Sequence, residues 1–404
     1  MKIIQINSVY KKGSTGKITF DIHKYLLESG VESIVCYGRG VKYAEKNVYK
    51  FCPEWYSKLN NIFSRITGVL YGGCFFSTKK LFSVIKKEKP DIVHIQCVNE
   101  HFVNVYKLIA WLKKNKVKTV LTLHAEFMFT ANCGHALDCN RWKLGCGNCL
   151  RFREETKSLL FDRTAYSWKK MREAFNGFDK NLVIVSVSPW LMNRAKQSPI
   201  FCNCNHKVVF NGLDTSIFHR YESLDNRDVS WISLNHKIVF HATAYFNTNV
   251  NNFKGGYYVF ELAKRMKDVD FVVAGPVSDV VENAPSNLHI LGNICDQKRL
   301  AAWYSYADLT IITSKKETFS MVCAESFVCG TPVVGFEAGG PESICIPEYS
   351  CFVHYGDIDS LEMKVREFLN FKWNKSDISQ KGEKIYSRQN MAENYKSIYE
   401  FLCQ

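Results

Sequence analysis

The sequence predicts two α/β domains in series, each built around a doubly wound parallel sheet. Three observations support this prediction. The chain has 404 residues, which is more than one typical domain of about 100–200 residues needs. Short apolar runs that are typical of buried strands alternate with segments of helical periodicity. The alternation restarts after a polar stretch at 221–235, which we interpret as the linker between the domains.

The first half of the chain begins with a predicted βαβ unit. A buried strand at 2–10 leads through a Gly-containing turn into a helix that Gly30 should end, because glycine readily adopts the left-handed conformation that follows a helix. A second strand follows at 31–38. The other predicted elements of this half are helices at 80–88 and 105–115 and strands at 91–97, 118–124, 181–188 and 207–212.

The second half repeats this architecture. Its predicted elements are a helix at 258–266 and strands at 237–245, 270–276, 288–293, 307–314 and 331–336. A last helix, at 387–403, has apolar residues at helical spacing, and we expect it to pack on the first domain. The predicted domains are therefore residues 1–215, which include a Cys-rich insertion at 126–155, and residues 230–385, followed by a returning helix at 386–404.

The composition excludes several classes of protein. A hydrophobic fraction of 46% and an aromatic fraction of 14% exclude a disordered chain. The formal net charge is +14, and the excess lies in residues 1–210, which hold 34 Lys and Arg against 15 Asp and Glu. Such a basic half favours an acidic partner, which could be nucleic acid, an anionic membrane or a phosphorylated substrate. No helix-turn-helix, RNA-recognition or repeated finger pattern supports nucleic acid.

The sixteen cysteines do not predict a disulfide framework. The chain opens without an apolar signal segment and has no apolar run of 18 residues, so we expect a cytoplasmic protein with reduced thiols and no spanning helix. Five scattered cysteines lie in apolar runs and are expected to be core residues: Cys36, Cys97, Cys323, Cys329 and Cys345.

The loop after the first strand contains Gly13, Gly16 and Lys17. It is not a Walker motif, because Ile18 stands where that motif needs Ser or Thr. Its backbone N–H groups and the following helix N-terminus favour a phosphate or a sugar hydroxyl. A tight strand-to-helix turn explains the same glycines, and the residues alone leave both interpretations open.

One carboxylate lies on each side of a predicted helix start in the second half. Glu317 follows the strand that ends at Ser314, and Glu325 lies eight residues later, which is close to two helical turns. Ligands of open α/β sheets bind at the carboxyl ends of the strands. We therefore expect Glu317 to bind sugar hydroxyls and Glu325 a ribose diol. The backbone N–H groups expected to face a diphosphate are those of Phe319, Ser320 and Met321.

A series of short motifs runs along most of the chain. They are the Gly loop at 13–16, Asp-Ile-Val-His at 91–94, Thr-Leu-His at 122–124, Ser-Pro-Trp-Leu at 188–191, Asn-Gly-Leu-Asp at 211–214 with Phe218, Phe-Lys-Gly at 253–255, Ala-Gly-Pro at 274–276 and the block at 317–330. In this order they resemble the retaining glycosyltransferases of family 4, and within that family the enzymes of exopolysaccharide and colanic-acid-type synthesis. The resemblance implies the GT-B fold, with two facing Rossmann-like domains.

The resemblance also implies roles for single residues. Lys254 matches the lysine that neutralises the donor diphosphate, Gly13 matches the donor-side loop, and Ile294 belongs to the turn that holds the nucleobase. This chain departs from the family in two ways: no Arg occurs between His241 and Lys254, and Ser320 replaces the usual Gly. The first departure leaves the diphosphate one cation short unless Lys17, Lys315 or another group substitutes.

His124 matches the family's histidine near the transferred sugar, although Ala125 replaces the Asp that often follows it and Glu126 comes next. A hydrogen-bonded structural role is the alternative for a lone histidine at a strand end. The implied retaining mechanism needs no protein nucleophile and no cofactor. The diphosphate leaves, the acceptor hydroxyl attacks on the same face, and charge stabilisation by Lys254 and the helix N-terminus carries catalysis. The expected catalytic residues are Glu317, His124 and Lys254.

Four cysteines in the predicted insertion have spacings that fit a structural zinc site. They are Cys133, Cys139, Cys146 and Cys149. A disulfide pair or four free thiols are the alternatives. Asp357 and Asp359 form a D-x-D pattern, which we interpret as a helix N-cap rather than a metal site.

We therefore expect a hexosyltransferase that moves a sugar from a nucleotide-diphosphate sugar to a saccharide or lipid-pyrophosphate acceptor in bacterial surface polysaccharide synthesis. A catalytically weak sugar-nucleotide-binding protein is the first alternative, and a nucleic-acid-binding protein is the second. The basic half would suit the anionic inner face of the plasma membrane. The lysines expected to face it are Lys79, Lys80, Lys86, Lys87, Lys89, Lys113, Lys114, Lys116 and Lys118.

Overall fold

The computed structural model describes residues 1–225, 228, 236–277 and 281–404, and most of the predicted linker at 221–235 lies outside the described residues. The chain forms two compact units. The first comprises Met1–Phe210 and Met391–Gln404, and the second comprises Asn211–Asn390. The predicted boundaries at residues 215 and 386 differ from these by a few residues.

The first unit contains a seven-stranded parallel sheet with the order β3-β2-β1-β4-β5-β6-β7. Its strands are β1 (Lys2–Asn7), β2 (Glu32–Tyr37), β3 (Val48–Lys50), β4 (Ile92–Ile95), β5 (Lys118–Leu123), β6 (Leu182–Ser186) and β7 (Asn205–Val208). Its helices are α1 (Gly13–Glu28), α2 (Glu54–Thr67), α3 (Phe75–Glu88), α4 (Val105–Lys114), α5 (Phe127–Thr130), α6 (Phe152–Thr156), α7 (Thr164–Phe175) and α8 (Pro189–Lys196).

The second unit contains a six-stranded parallel sheet with the order β10-β9-β8-β11-β12-β13. Its strands are β8 (Lys237–Ala242), β9 (Val269–Ala274), β10 (Leu288–Gly292), β11 (Leu309–Ile312), β12 (Val333–Phe336) and β13 (Ser350–Val353). Its helices are α9 (Gly256–Arg265), α10 (Gln297–Tyr306), α11 (Met321–Val328), α12 (Gly340–Ile344), α13 (Ile358–Asn370) and α14 (Lys375–Tyr386).

The last helix, α15 (Arg388–Cys403), completes the first unit, as predicted. Its apolar face contributes Met391, Tyr395 and Tyr399 to the core that contains Ile3 and Val120. These residues lie at helical spacing, so one face of α15 is buried while the other is exposed to solvent.

Each sheet has the strand order of a doubly wound fold, which confirms the predicted fold class. In the first sheet the winding direction reverses between β1 and β4, and in the second it reverses between β8 and β11. The carboxyl ends of these strand pairs mark the crevices in which open α/β sheets bind ligands. The two crevices therefore define where a functional site is expected in each unit.

Several elements were not predicted. The helix α2 has its apolar residues exposed rather than buried, β3 spans only Val48–Lys50, and β13 is half-buried, so none of the three shows the pattern of a core element. The helix α1 begins at Gly13, within the predicted turn. No helix in the described part of the chain is both long and apolar enough to cross a membrane.

Candidate functional site

The crevice of the second unit brings together two residues that the sequence singled out. Lys254 lies in the segment after β8, and Glu317 lies in the segment after β11. The Nζ of Lys254 donates a hydrogen bond to Oε1 of Glu317 over 3.0 Å, and both side chains are only about one fifth exposed. A cation and a carboxylate therefore meet at the ligand-binding edge of this sheet.

The charge on Glu317 is stabilised by its surroundings. Burial alone would raise the pKa of the carboxyl, but the Lys254 ammonium and a hydrogen bond from Ser314 hold that pKa below its ordinary value. The carboxylate is therefore ionised near neutral pH and can accept hydrogen bonds from hydroxyl groups. Lys254 also lies over the ring of Phe253, 5.3 Å from its centroid, which adds a cation–π contact.

Two glycines allow the backbone segments of this site to approach closely. Gly255 has φ +72°, and a Cβ there would lie 2.0 Å from the carbonyl oxygen of Thr313. A Cβ at Gly340 would lie 2.4 Å from the carbonyl carbon of Thr318. The N–H of Gly340 donates to the carbonyl of Glu317 over 2.8 Å. Larger residues at either glycine would displace the segment that carries Lys254 or Glu317.

The helix start beside Glu317 has unusual backbone geometry. The helix α11 begins at Met321, and Ser320 precedes it with φ +82° and ψ 94°. Few non-glycine residues adopt this conformation, because Cβ crowds the neighbouring backbone. The glycine that the family resemblance places at this position would adopt it without strain. Phe319 and Ser320 are both buried, so the segment is fixed by packing.

Glu325 lies within α11 and accepts a hydrogen bond from the hydroxyl of Tyr304 over 2.9 Å. Burial, with a further contribution from Glu325, raises the pKa of Tyr304 well above its ordinary value, so this hydroxyl stays protonated. Ile294 lies in the loop that follows Gly292 and is half-buried. Both predicted donor residues are thus in the second unit.

His241, near the end of β8, is a site residue that the sequence analysis did not single out. Its side chain is 3% exposed, and its Nδ1 lies 3.2 Å from the carbonyl oxygen of Ile311. Because a carbonyl only accepts, Nδ1 carries the proton and Nε2 is an acceptor, for which the described residues provide no hydrogen-bond partner. The signal available in the sequence was its position near the end of a strand that leads into the Phe-Lys-Gly motif at 253–255.

In the first unit, His124 lies directly after β5 and is bound to Gln96, which follows β4. The distance from Nε2 of His124 to Oε1 of Gln96 is 2.9 Å. Burial lowers the pKa of His124 to about 4, so the ring is neutral at pH 7. Gln96 also lies beside His94, whose two ring nitrogens contact Tyr399 and Thr122. A buried polar network therefore positions His124.

The Gly loop of the first unit has the geometry of a tight turn into a helix. Gly13 has φ +66°, and Gly16 packs so closely that a Cβ would lie 3.1 Å from Cγ2 of Val9. The helix α1 starts at Gly13 without a side-chain cap. Its first N–H groups are oriented along the helix axis at the carboxyl end of β1. A phosphate or hydroxyl oxygen there could accept hydrogen bonds from them.

Glu126 is fully buried in the first unit and is part of an ion pair with Arg194. Its other carboxylate oxygen accepts the N–H of Ala136. The guanidinium of Arg194 lies 5.0 Å from the ring of Trp190 and 5.2 Å from the ring of Trp142. These contacts give Glu126 a structural role after the His124 strand, and Arg194 was missed because an isolated arginine on a helix carries no pattern.

The four cysteines of the predicted zinc site all lie in the segment between α5 and α6. All sixteen cysteines are free thiols. Burial raises the pKa of the Cys133 thiol, and the negative charge of Glu155 adds to this shift. Yet no three His, Cys, Asp or Glu side chains of the described residues are grouped in a way that could hold a metal ion. Zinc binding therefore stays a prediction.

Asp357 has the capping role that its sequence context indicated. Its side chain accepts the N–H of Ser360 over 3.0 Å at the start of α13. Asp359 is exposed and forms an ion pair with Arg265. The D-x-D pattern therefore caps and flanks a helix.

Comparison with known proteins finds a family match in the second unit. Residues 237–370 match the family described as glycosyl transferases group 1. The N-acetyl-alpha-D-glucosaminyl L-malate synthase of Bacillus anthracis is 22% identical over 336 residues, which are 79% of this chain and 77% of that protein. A putative colanic acid biosynthesis glycosyl transferase, WcaC of Escherichia coli, is 25% identical over 162 residues, or 37% of this chain and 39% of that protein.

Solved structures share the whole fold. A glycosyltransferase from Rickettsia africae superposes with a TM-score of 0.68 and 16% identity, covering 100% of this chain and 99% of its own. Anabaena HepE, solved in complex with UDP, superposes with a TM-score of 0.62 and 13% identity, covering 99% and 100%. Residues 237–370 are therefore similar to the glycosyl transferases group 1 family, and the chain as a whole has the two-domain GT-B fold of these solved structures.

Proposed function

We propose that this chain is a retaining glycosyltransferase that moves a sugar from a nucleotide-diphosphate sugar to a saccharide or lipid-linked acceptor in bacterial surface polysaccharide synthesis. The observation that carries the proposal is the pairing of Lys254 with Glu317 at the crevice between β8 and β11. The group 1 match covers both residues, and UDP is bound in the HepE structure of the same fold.

The residues of the second unit suit a nucleotide-diphosphate sugar. Lys254 supplies positive charge to the leaving diphosphate, and the N–H groups at the start of α11 add donors. Glu317 accepts hydrogen bonds from sugar hydroxyls, and Nε2 of His241 offers one further acceptor. In the first unit, the family resemblance assigns neutral His124, held by Gln96, to the sugar or the acceptor.

Two other features support the proposed acceptor and the proposed location in the cell. The relation to WcaC favours a polysaccharide precursor, and the basic first half of the chain favours the anionic inner face of the plasma membrane. A role as a weakly active sugar-nucleotide-binding protein is the second candidate, because the segment between His241 and Lys254 lacks an Arg.

One experiment separates these two functions. Thermal unfolding with a panel of UDP-, GDP- and ADP-sugars identifies the donor, and release of nucleoside diphosphate from that donor is then measured with and without saccharide acceptors. Transfer to an acceptor supports the enzyme. A thermal shift without diphosphate release would favour the binding protein, and no shift with any donor would refute both.

We also propose that Cys133, Cys139, Cys146 and Cys149 hold a structural zinc ion, on the grounds of their spacing in the sequence. Metal analysis of the purified chain should find about one zinc per chain. Cys146→Ser should lose the metal, and Cys202→Ser, which changes an exposed cysteine outside the insertion, should keep it. A chain purified without zinc under reducing conditions, and equally stable with added chelator, would contradict the proposal.

A further inference from the structure

The helix α2 presents a stripe of large apolar side chains to solvent. Trp55, Leu59, Ile62, Phe63 and Ile66 are between 47% and 67% exposed. Their spacing of i, i+4, i+7, i+8 and i+11 places them on one stripe along the helix. We call these five residues the α2 face.

The opposite side of α2 is held in the fold by polar groups. Ser57 and Ser64 are buried, and the hydroxyl of Ser57 donates to the carbonyl of Glu100 over 3.2 Å. The side-chain amide oxygen of Asn60 accepts the N–H of Cys74 over 2.7 Å. The orientation of α2 is therefore fixed, and the exposure of the α2 face is a property of the native fold.

The exposed apolar surface continues beyond both ends of α2. At one end, Tyr56 contacts the ring of Phe76, which is 78% exposed, and Phe75 lies next to it. At the other end, the N–H of Leu159 donates to the carbonyl of Arg65 over 2.7 Å. The exposed side chains of this second end are Leu159, Leu160 and Phe161. Ten exposed large apolar side chains thus lie on α2 and on the two segments that contact its ends, and exposed apolar clusters of this kind mark interaction sites.

Basic side chains border this surface. The segments 54–67, 75–88 and 157–163 contain eight Lys and Arg against three Asp and Glu. Lys58 and Arg65 are exposed on one flank of the α2 face, and Lys79 and Lys80 are exposed one turn after Phe76. Of the acidic residues, Glu54 is paired with Arg39. An apolar stripe with a basic border is complementary to an anionic lipid surface.

A polar cavity of about 430 Å³ lies along the same flank. Asn61 and Arg65 of α2 line it, together with His101 and Lys157. The acidic residue in its lining, Glu155, is held in an ion pair with Arg151. The cavity therefore offers hydrogen-bond donors and positive charge beside an apolar surface, which is the combination that a phospholipid headgroup and its acyl chains require.

From these observations we infer that the α2 face, with Phe75, Phe76 and 159–161, is a membrane-docking surface that inserts its apolar side chains into the headgroup region of an anionic bilayer. The inference rests on the proposed function, since it names the surface by which the enzyme would reach a lipid-linked acceptor. Trp55 suits the interface, where tryptophan side chains are enriched, and Phe76 is an exposed aromatic side chain beside it on the same surface.

Sedimentation with vesicles of phosphatidylcholine, with and without phosphatidylglycerol, tests this surface. The full chain should bind the anionic vesicles. The double substitution Ile62→Gln with Phe63→Gln should weaken binding about 100-fold, since each withdrawn apolar side chain is worth about tenfold in partition. Lys79→Glu with Lys80→Glu should weaken binding roughly fivefold per residue. The matched control, Met363→Gln with Phe371→Gln, changes two exposed apolar residues of the second unit and should bind as the unmodified chain does.

Vesicle binding and oligomeric state together decide whether this surface docks on a membrane. Failure of the unmodified chain to bind anionic vesicles, or equal binding by the two test variants, would overturn the inference. A dimer in solution that dissociates on the Ile62 and Phe63 substitutions would also overturn it, because the surface would then join two copies of the chain. Vesicle binding needs neither donor nor acceptor, so its presence in a chain that transfers no sugar would refute the proposed function and support docking.

Discussion

Lys254 and Glu317 are 63 residues apart in the chain, yet the Nζ of one lies 3.0 Å from Oε1 of the other. This contact has a consequence for ligand binding. A nucleoside diphosphate that takes Lys254 as its counter-ion must compete with the Glu317 carboxylate or bind beside it, where like charges repel. The cation is therefore pre-positioned by the residue that we expect to contact the sugar.

Glu317→Gln should separate nucleotide binding from sugar transfer. The amide keeps the shape of the side chain but removes its charge, so the affinity for UDP or another nucleoside diphosphate should stay constant or rise. Transfer should fall about 100- to 1,000-fold, the usual effect of losing a group that stabilises developing charge. Calorimetric Kd values and initial rates check the two expectations. A parallel loss of nucleotide affinity and transfer would contradict the role on the sugar.

Lys254→Met should weaken both nucleotide binding and transfer, because the diphosphate loses its cation and Glu317 loses its partner. Transfer should fall at least about 100-fold. Lys264→Met is the matched control, since Lys264 is exposed in α9 and pairs with Glu261. The control should leave Kd and rate unchanged. Wild-type rates in Lys254→Met would show that another group neutralises the diphosphate.

The fold was largely predictable because buried parallel strands are continuous apolar runs. β5, for example, has five of its six residues buried and was predicted within a residue. The α2 face was not predicted, because an amphipathic sequence pattern does not show whether the apolar side of the helix faces the core or solvent. Gln96 and Arg194 were missed because their roles depend on contacts with His124 and Glu126, which are distant in the chain.

Ser320→Gly should stabilise the second unit. Ser320 has φ +82°, which costs a non-glycine residue about 1–3 kcal/mol, and glycine removes this strain while adding entropy to the unfolded chain. We expect a net gain of about 1 kcal/mol in the free energy of unfolding, measured by urea denaturation. Ser314→Gly, at a neighbouring position without positive φ, should not stabilise. A loss of stability in Ser320→Gly would mean that the hydroxyl contributes more than the strain costs.

Stability should fall as the pH is lowered from neutrality, because His23, His94 and His241 are neutral in the folded chain, as is His124. Burial lowers the pKa of His23 to about 4, of His94 to about 3 and of His241 to about 4. Unfolded histidine titrates near 6.5, so the unfolded state binds more protons between about pH 6.5 and 4. Each histidine should therefore contribute a loss of up to about 1.4 kcal/mol per pH unit in that window. Urea denaturation at pH 7.5, 6.5 and 5.5 measures the slope, and a flat profile would contradict the neutral assignment.

Tyr399→Phe tests whether the last helix stabilises the first unit through His94. The hydroxyl of Tyr399 lies 2.6 Å from Nδ1 of His94, and the opposite ring nitrogen lies 2.8 Å from the hydroxyl of Thr122. Removing the tyrosine hydroxyl leaves a buried ring nitrogen without this partner, which should cost about 1–3 kcal/mol of unfolding free energy. Tyr166→Phe, at an exposed tyrosine of α7, is the control and should change the free energy of unfolding by less than about 0.5 kcal/mol.

Because Gln96 lies beside both His94 and His124, the Tyr399 variant should also reduce transfer without changing nucleotide affinity. Stability and rate equal to those of the control would show that α15 is held by its apolar contacts alone.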